Sequence, residues 1–138
     1  MTLKTLKNSH PSPELKRLTE SEYSYAWISD YYDGALSGML LFECKYYWFE
    51  MICENENWKK GDWYRRYAVV ELTDEQLKKE WGVHKDFQRY VGTHYDCMLF
   101  EDTPELIHGQ MDTFYDKHHD YCCSLRFEDN KAIAWFET

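Results

Sequence analysis

Long apolar runs, a glycine-rich phosphate loop and a cysteine framework are all missing from this chain. No stretch approaches the roughly 20 apolar residues of a membrane-spanning helix, so we expect no membrane association. Neither the P-loop pattern nor G-x-G-x-x-G occurs, so nothing indicates nucleotide binding through such a loop. The five cysteines include no CxxC pair and no zinc-ribbon spacing. With an N-terminus that lacks the apolar core of a signal peptide, this pattern predicts a cytoplasmic protein with free thiols.

Basic side chains are scarce relative to acidic ones. Sixteen lysines and arginines stand against 25 aspartates and glutamates, which gives a net charge of −9. The excess lies in the second half of the chain, where residues 73–138 carry fourteen acidic and seven basic side chains. A field of this sign repels phosphate backbones and attracts basic surfaces. We therefore expect a protein partner with a basic surface, and we expect no nucleic acid partner.

Aromatic side chains, in contrast, are abundant, at 18% of the chain. The 138 residues suit one domain, which buries about two-thirds of its surface on folding. So many tyrosines and tryptophans are hard to bury in a domain of this size, and both types are enriched in binding pockets and hot spots. We therefore expect an aromatic-lined face or groove. The alternative is an aromatic core with hydroxyl groups at its edges.

Alternating and helical spacings of apolar residues predict the order of the elements. A capping box at Thr73–Gln76 opens the clearest helix, which Gly82 interrupts and Gly92 ends. Two other helices are predicted at 12–20, where a Ser-Pro pair marks the start, and from Thr103 to about His118. Residues 1–11 are predicted as an arm or an edge strand. Strands are predicted at 23–28, 38–43, 46–53, 64–72, 95–100, 122–127 and 131–136.

The order of these elements predicts the fold class. Consecutive hairpins dominate, and βαβ alternation is absent, which favours an antiparallel sheet. We expect an α+β fold. It is predicted to be a single domain over residues 1–138, a mainly antiparallel sheet of about five to six strands with two or three helices packed on it.

The helix predicted from Thr103 carries a pattern that is typical of a metal site. His108, Asp112, Asp116 and His119 are four, four and three residues apart and share one face. Because His and carboxylate groups at this spacing can share an ion, His108, Asp112 and His119 are the candidate ligands. One helix face seldom supplies more than two ligands, so a closed site would need further donors such as His94 or Cys122, and nothing in the sequence places them there. We expect no bound cofactor. The alternative is a solvated acidic face, on which Asp112 and Asp116 are candidate contacts to a basic partner.

Residues 58–66 form the only basic island after residue 22. The segment WKKGDWYRR places lysines and arginines between aromatic rings. Cations beside stacking faces suit single-stranded nucleic acid or a phosphorylated ligand. The alternative is a hairpin tip whose bases balance nearby acidic groups. The candidate binding residues of this island are Trp58, Trp63, Tyr64, Arg65 and Arg66.

Three functions remain open from the sequence. The first, which we expect, is a small acidic interaction module that neutralises a basic partner. It resembles small immunity or inhibitor proteins in size and charge only, with no shared motif. The second is a small-ligand-binding or metal-assisted enzymatic domain with an aromatic-lined pocket. The third is weak nucleic-acid or phosphate binding through residues 58–66. No catalytic residue is identified, so the sequence leaves open whether the chain is an enzyme.

Overall fold

The computed structural model of the chain describes residues 1–7, 14–57, 62–92, 110–122 and 124–138. Six strands and three helices lie in this part of the chain. In chain order they are α1 Leu3–Lys7, β1 Lys16–Arg17, β2 Tyr23–Tyr31, β3 Ala35–Phe42, β4 Lys45–Asn57, β5 Asp62–Val70, α2 Asp74–Tyr90, α3 Met111–Cys122 and β6 Ala132–Glu137.

All six strands form one sheet in the order β1-β6-β5-β4-β3-β2. From β2 to β6 each neighbouring pair is antiparallel, and only the two-residue β1 pairs in parallel, with β6. The four strands β2 to β5 follow one another as hairpins, because their short connections favour antiparallel neighbours. The predicted α+β class with a mainly antiparallel sheet is therefore confirmed.

The predicted hairpin of β3 and β4 is confirmed, with its turn one residue earlier than expected. Glu43 and Cys44 occupy the turn with φ values of 50° and 62°. Two positive φ values are typical of the two-residue turn that matches strand twist. The side chains of β4 alternate as the sequence predicts: Phe49 faces one side of the sheet, and Trp48 faces the other.

The sheet is strongly curled because a short segment joins its two edges. β1 and β2 lie at opposite edges, yet only residues 18–22 connect them. A flat six-stranded sheet is about 24 Å wide, whereas the six Cα–Cα steps from Arg17 to Tyr23 span at most about 22 Å. This connection also turns back, since the Glu22 N–H donates to the Thr19 carbonyl at 2.9 Å. The edges therefore approach one another, and the rings of Tyr23 on β2 and Phe136 on β6 lie 4.4 Å apart between centroids.

The concave side of this curl is filled mainly by aromatic rings. Tyr67 stacks on Phe136 with centroids 4.8 Å apart, and Phe49 packs edge-on against Tyr67 at 5.8 Å. Phe49 and Phe136 are fully buried, and Tyr67 is nearly so. Many of the abundant aromatics therefore form core, which is the alternative that the composition left open.

The convex side of the sheet is covered by α1 and α2. Leu3 and Leu6 of α1 are fully buried against this side, and Leu77 and Trp81 of α2 pack there as well. α3 packs on α2, where the ring centroids of Phe87 and Phe114 lie 5.2 Å apart. The helices therefore form a partial second layer on one face of the sheet.

A bulge in β2 corrects one expectation. Strict alternation predicts Tyr23, Tyr25 and Trp27 on one face, but the pairing of β2 with β3 shifts between Tyr25 and Trp27. An extra residue in one strand exchanges the faces of the residues that follow it, here as far as the next register shift between Ile28 and Asp30. Trp27 therefore lies on the helix side, where it stacks on His84 with centroids 4.1 Å apart.

The N-terminal elements differ from the prediction. The predicted arm or edge strand contains the helix α1, whose leucines seal one end of the core. The predicted helix over 12–20 is wrong at Lys16 and Arg17, which pair with β6 as β1. Tertiary pairing outweighs local propensity in so short a segment. The Ser-Pro start of that predicted helix lies outside the described residues.

The prediction for α2 is confirmed at both ends. Thr73 accepts from the Gln76 N–H at 3.2 Å, and the Gln76 side chain accepts from the Thr73 N–H at 2.9 Å. Gly92 follows the helix with φ of 115°, and its N–H donates to the Phe87 carbonyl. The helix runs through Gly82 without a break, because an exposed glycine only weakens a helix.

The C-terminal region is partly corrected. The helix predicted from Thr103 to about His118 is described only from Met111, and it continues to Cys122. The strand predicted over 122–127 is wrong, since Cys122 ends α3 and residues 124–127 belong to no strand. The predicted last strand is confirmed as β6. The predicted strand at 95–100 and the Thr103 helix start lie outside the described residues.

Two glycines give opposite expectations for the same substitution. A Cβ on Gly38 would lie 2.3 Å from the Trp27 carbonyl oxygen, so Gly38→Ala should destabilise the fold by about 2–4 kcal/mol. A Cβ on Gly82 meets nothing within 4 Å, so Gly82→Ala should stabilise α2 by about 0.5–1 kcal/mol. Urea unfolding of both variants measures the two changes. Equal effects of the two substitutions would contradict this close packing of β2 on β3.

Candidate functional site

A cavity of about 500 Å³ lies between the convex side of the sheet and the helices. β2, β3 and β4 form its floor, α2 and α3 form one wall, and residues 124–126 close another side. Its volume lies in the range of about 300–1,000 Å³ that small-molecule pockets occupy. The lining residues are Trp27, Ile28, Ser29, Asp30, Ser37, Trp48, Glu50, Glu80, Val83, His84, Phe87, Phe114, Tyr115, Cys122, Ser124, Leu125 and Arg126.

Two tryptophans that line the cavity keep unused hydrogen-bond donors. Trp27 and Trp48 are 1% and 2% exposed, respectively. The Nε1 atoms of both indoles are buried without a hydrogen-bond partner among the described residues. A buried donor without an acceptor costs about 1–3 kcal/mol, and such groups are rare in folded proteins. These two donors are therefore the strongest sign of a ligand in the described part of the chain.

Arg126 lies in the same cavity, held by two rings and a carboxylate. Its guanidinium carbon is 5.2 Å from the ring centroid of Trp48 and 4.5 Å from that of Tyr121. Its Nε atom lies 3.0 Å from an oxygen of Glu80, and the Tyr121 hydroxyl donates to the same oxygen. Arginine suits this position because it pairs with carboxylates and stacks on aromatic faces. The arrangement ties the segment after α3 to α2.

Glu50 brings a second carboxylate to the cavity from the floor. It lies on β4 directly opposite Ser37 of β3. Lys7 of α1 lies 3.0 Å from Glu50 and also forms an ion pair with Glu128. This pairing holds Glu50 in place, with 23% of its side chain exposed. The cavity therefore contains fixed carboxylate acceptors as well as fixed donors.

Burial controls the electrostatics of both carboxyl groups. Burial raises the pKa of Glu80 above its ordinary value, although Arg126 and the Tyr121 hydroxyl act in the opposite direction. Burial likewise raises the pKa of Glu50 against the effect of Lys7. The pKa of Tyr121 is raised by burial and by its contact with Glu80, so the phenol stays protonated and donates. Perturbed carboxyl groups in a cavity are typical of functional sites.

The rim of the cavity has two unusual features. Leu125 is 80% exposed and Tyr115 is 37% exposed, and both line the cavity. Phe127, next to Arg126, has φ of 64°, a region that is costly for a bulky residue. Its ring is anchored against Trp48 at 5.1 Å between centroids. An exposed apolar rim beside a strained segment favours a binding site over a simple packing gap.

The predicted basic island is divided by the sheet. Tyr64 and Arg66 lie on one face of β5, with the guanidinium 4.6 Å from the ring centroid. Arg65 points to the other face, where it is 6% exposed, pairs with Glu54 at 3.0 Å and donates to the Tyr32 carbonyl at 2.9 Å. Its guanidinium thus holds the β2–β3 turn. Trp58 lies outside the described residues, as does the side chain of Trp63.

Arg66 belongs to a small surface cluster that the sequence pattern did not predict. It pairs with Glu137 at 2.9 Å and lies 5.4 Å from the ring centroid of Trp135, which Arg17 also contacts. These contacts join β5, β6 and β1 at the edge of the sheet. The binding roles of Tyr64, Arg65 and Arg66 stay predictions.

The described residues of the predicted metal site lie on the exposed face of α3. Asp112 and Asp116 are exposed and form no ion pair with another described residue. His119 lies 3.5 Å from its neighbour Asp120. No group of three or more metal-binding side chains is found within the described ranges, and His108 lies outside them. A metal site at His108, Asp112 and His119 stays a prediction.

The residues of the cavity were not selected from the sequence, although it held a signal for them. Glu50 interrupts the apolar helix-facing side of β4 between Trp48 and Ile52. Glu80 lies one helical turn before His84 on the buried side of α2. A charged residue inside an apolar pattern must be paired or functional. Arg126 carries no such signal, because the sequence predicts a strand over 122–127, and a charged residue is ordinary on the exposed face of a strand.

Comparison of the chain with protein-family models, curated proteins and solved structures finds no significant match. None of the helices in the described ranges combines the length and apolar character that crossing a bilayer requires. The chemistry of the cavity therefore rests on its own geometry.

Two acidic groups of α2, the buried Glu80 and the half-buried Asp86, should titrate with opposite effects on stability. The folded protein holds the Glu80 proton more tightly than the unfolded chain does. The free energy of unfolding of wild type, relative to that of Glu80→Gln, should therefore fall as the pH rises above 4.5. Lys117 and His118 lower the pKa of Asp86 despite its partial burial. The free energy of unfolding of wild type, relative to that of Asp86→Asn, should therefore fall as the pH decreases below 3.8.

Urea unfolding of wild type and the two variants across this pH range measures both differences. Because the two variants lie on the same helix and remove the same charge, each serves as the control for the other. Parallel pH profiles would contradict the assigned environment of Glu80.

Proposed function

We propose that this domain binds a small polar molecule in the cavity between its sheet and its helices. The observation that carries the proposal is the pair of buried indole donors of Trp27 and Trp48. A ligand that accepts hydrogen bonds would remove the cost of leaving these donors unused. No catalytic step is included in the proposal.

The distribution of aromatic residues supports this function over a purely aromatic docking surface. Among the aromatic side chains that the structure describes, only those of Tyr32 and Tyr115 are exposed. Hot-spot aromatics of a protein interface need to be accessible before binding. Most rings instead pack in the core or around the cavity, which favours an enclosed ligand.

The cavity also has the composition of a binding pocket. Apolar walls such as Val83 and Phe87 alternate with ionisable groups that are each held by neighbours. Preorganised polar groups on a mainly apolar surface give orientation and specificity to small-molecule sites. Glu50 and Arg126 are held by partners on other elements, so they need little reordering when a ligand enters.

Filling the cavity should abolish binding. Val83→Phe adds volume inside the cavity and should lower the affinity for any cavity ligand by about tenfold or more. The same substitution at Val91, which does not line the cavity, should leave affinity unchanged. A library of small polar fragments, screened by saturation-transfer NMR, identifies the ligands and measures both variants. The proposal is wrong if no fragment binds, or if Val83→Phe binds all fragments as wild type does.

A second candidate function is the acidic interaction module, and the exposed face of α3 favours it. Asp112, Asp116 and Asp120 are exposed at successive four-residue intervals on this helix. The first two make no ion pair within the described part of the chain, unlike Asp86 on α2, which pairs with Lys117. Unpaired acidic groups would steer a basic partner toward α3.

Neutralising this face should weaken binding to a basic chain. The Asp112→Asn/Asp116→Asn variant should bind polylysine about twofold to fivefold less tightly at low salt, and the difference should vanish at high salt. The control Asp33→Asn/Glu43→Gln removes the same charge from two exposed turns. Fluorescence anisotropy measures the affinity of both variants for polylysine. Equal affinities would mean that only the net charge governs this binding, and they would exclude α3 as the docking face.

A further inference from the structure

We propose that the ligand of the cavity is an uncharged molecule with several adjacent hydroxyl groups, of monosaccharide or disaccharide size. This inference rests on the proposed function and specifies the chemistry of its ligand. It follows from the kinds of hydrogen-bonding groups that the cavity presents, from their charge and from the available volume.

The cavity presents donors and acceptors together. The indoles of Trp27 and Trp48 can only donate, whereas the carboxylates of Glu50 and Glu80 can only accept when ionised. A hydroxyl group is the simplest ligand group that accepts from an indole N–H and donates to a carboxylate through the same oxygen. A ligand with adjacent hydroxyls therefore satisfies both kinds of wall at once.

The charges around the cavity oppose an anionic ligand. Three carboxyl groups line it, those of Asp30, Glu50 and Glu80, against the single guanidinium of Arg126. That guanidinium already pairs with Glu80 at 3.0 Å, and Lys7 already pairs with Glu50 at 3.0 Å. A phosphate or carboxylate ligand would meet net negative charge at short range, which is unfavourable in a partly buried site.

A cationic ligand would find one ring face of each of the two tryptophans already in contact with another side chain. The Trp48 face is occupied by Arg126, and the Trp27 face stacks on His84 with an interplanar angle of 6°. Cation–π recognition needs an open ring face within about 6 Å of the cation. The buried N–H groups of the two indoles lack a partner among the described residues, and an N–H group selects acceptors.

The size and rim of the cavity fit such a molecule. About 500 Å³ is ample for one or two sugar rings. The exposed side chains of Tyr115 and Leu125 would cover the apolar face of a ring at the entrance. A sugar ring has both parts, with C–H groups on its faces and hydroxyls around its edge.

Indole N–H resonances test this proposal directly. Six tryptophans give six separate side-chain peaks in a ¹H–¹⁵N spectrum, and Trp27→Phe and Trp48→Phe assign the two of interest. Glucose, galactose, mannose, N-acetylglucosamine and maltose are titrated to millimolar concentrations. At least one should move the Trp27 and Trp48 peaks saturably, while the peak of Trp135, outside the cavity, stays in place.

Affinity and charge variants complete the test. Trp48→Phe removes one indole donor and should lower the affinity for the sugar about threefold to tenfold, whereas Trp135→Phe should leave this affinity unchanged. Glucuronate and glucosamine, charged relatives of glucose, should bind more weakly than glucose does. Glu50→Gln keeps the shape of the side chain and serves as a second variant if Trp48→Phe fails to fold. In this variant the affinity for glucuronate should rise relative to that for glucose.

The outcomes separate this inference from the proposed function. If no sugar moves the two indole peaks, but fragments of other chemistry bind wild type and not Val83→Phe, the inference is wrong and the cavity still binds ligands. Tighter binding of glucuronate or glucosamine than of glucose also overturns the inference. If neither sugars nor fragments bind, both proposals fail.

Discussion

The shape of this protein depends on the five residues that join opposite edges of its sheet. Because residues 18–22 connect β1 to β2, the sheet cannot stay flat, and the rings of Tyr23 and Phe136 meet across its interior. The concave side becomes an aromatic core. All the described helical packing is therefore left to the convex side, where a curved surface and straight helices do not fit closely along their whole length.

The cavity is a consequence of that geometry. α2 packs on the sheet near Trp81, whereas α3 packs on α2, and the segment that contains Arg126 follows α3 beside the cavity. The space between them is lined by the bulged strand β2, which turns Trp27 toward the helices. Ion pairs hold Glu80 and Glu50 in the wall of this space, and removing either partner would leave a buried charge. We regard this balance of packing and charge as the basis of the ligand binding that we propose.

Local patterns were sufficient where the responsible interactions lie close together in the sequence. The capping box at Thr73 and the glycine after α2 follow from hydrogen bonds within a few residues. The β3–β4 hairpin follows from two local features: side chains such as Trp48 and Phe49 alternate between the faces of β4, and a two-residue turn joins the strands. The α+β class follows from these elements, because consecutive strands with short connections pair in antiparallel fashion.

Long-range contacts decided the rest. The bulge that exchanges the faces of β2 arises from its register with β3, and β1 forms only because β6 lies beside it. The site joins Trp27, Trp48, Glu80 and Arg126 from four parts of the chain, and no local pattern encodes the distance between a donor on a strand and a carboxylate on a helix. Composition and local spacing determined the charge and most elements of this protein, whereas the tertiary packing of the sheet and helices decided which polar groups share a cavity.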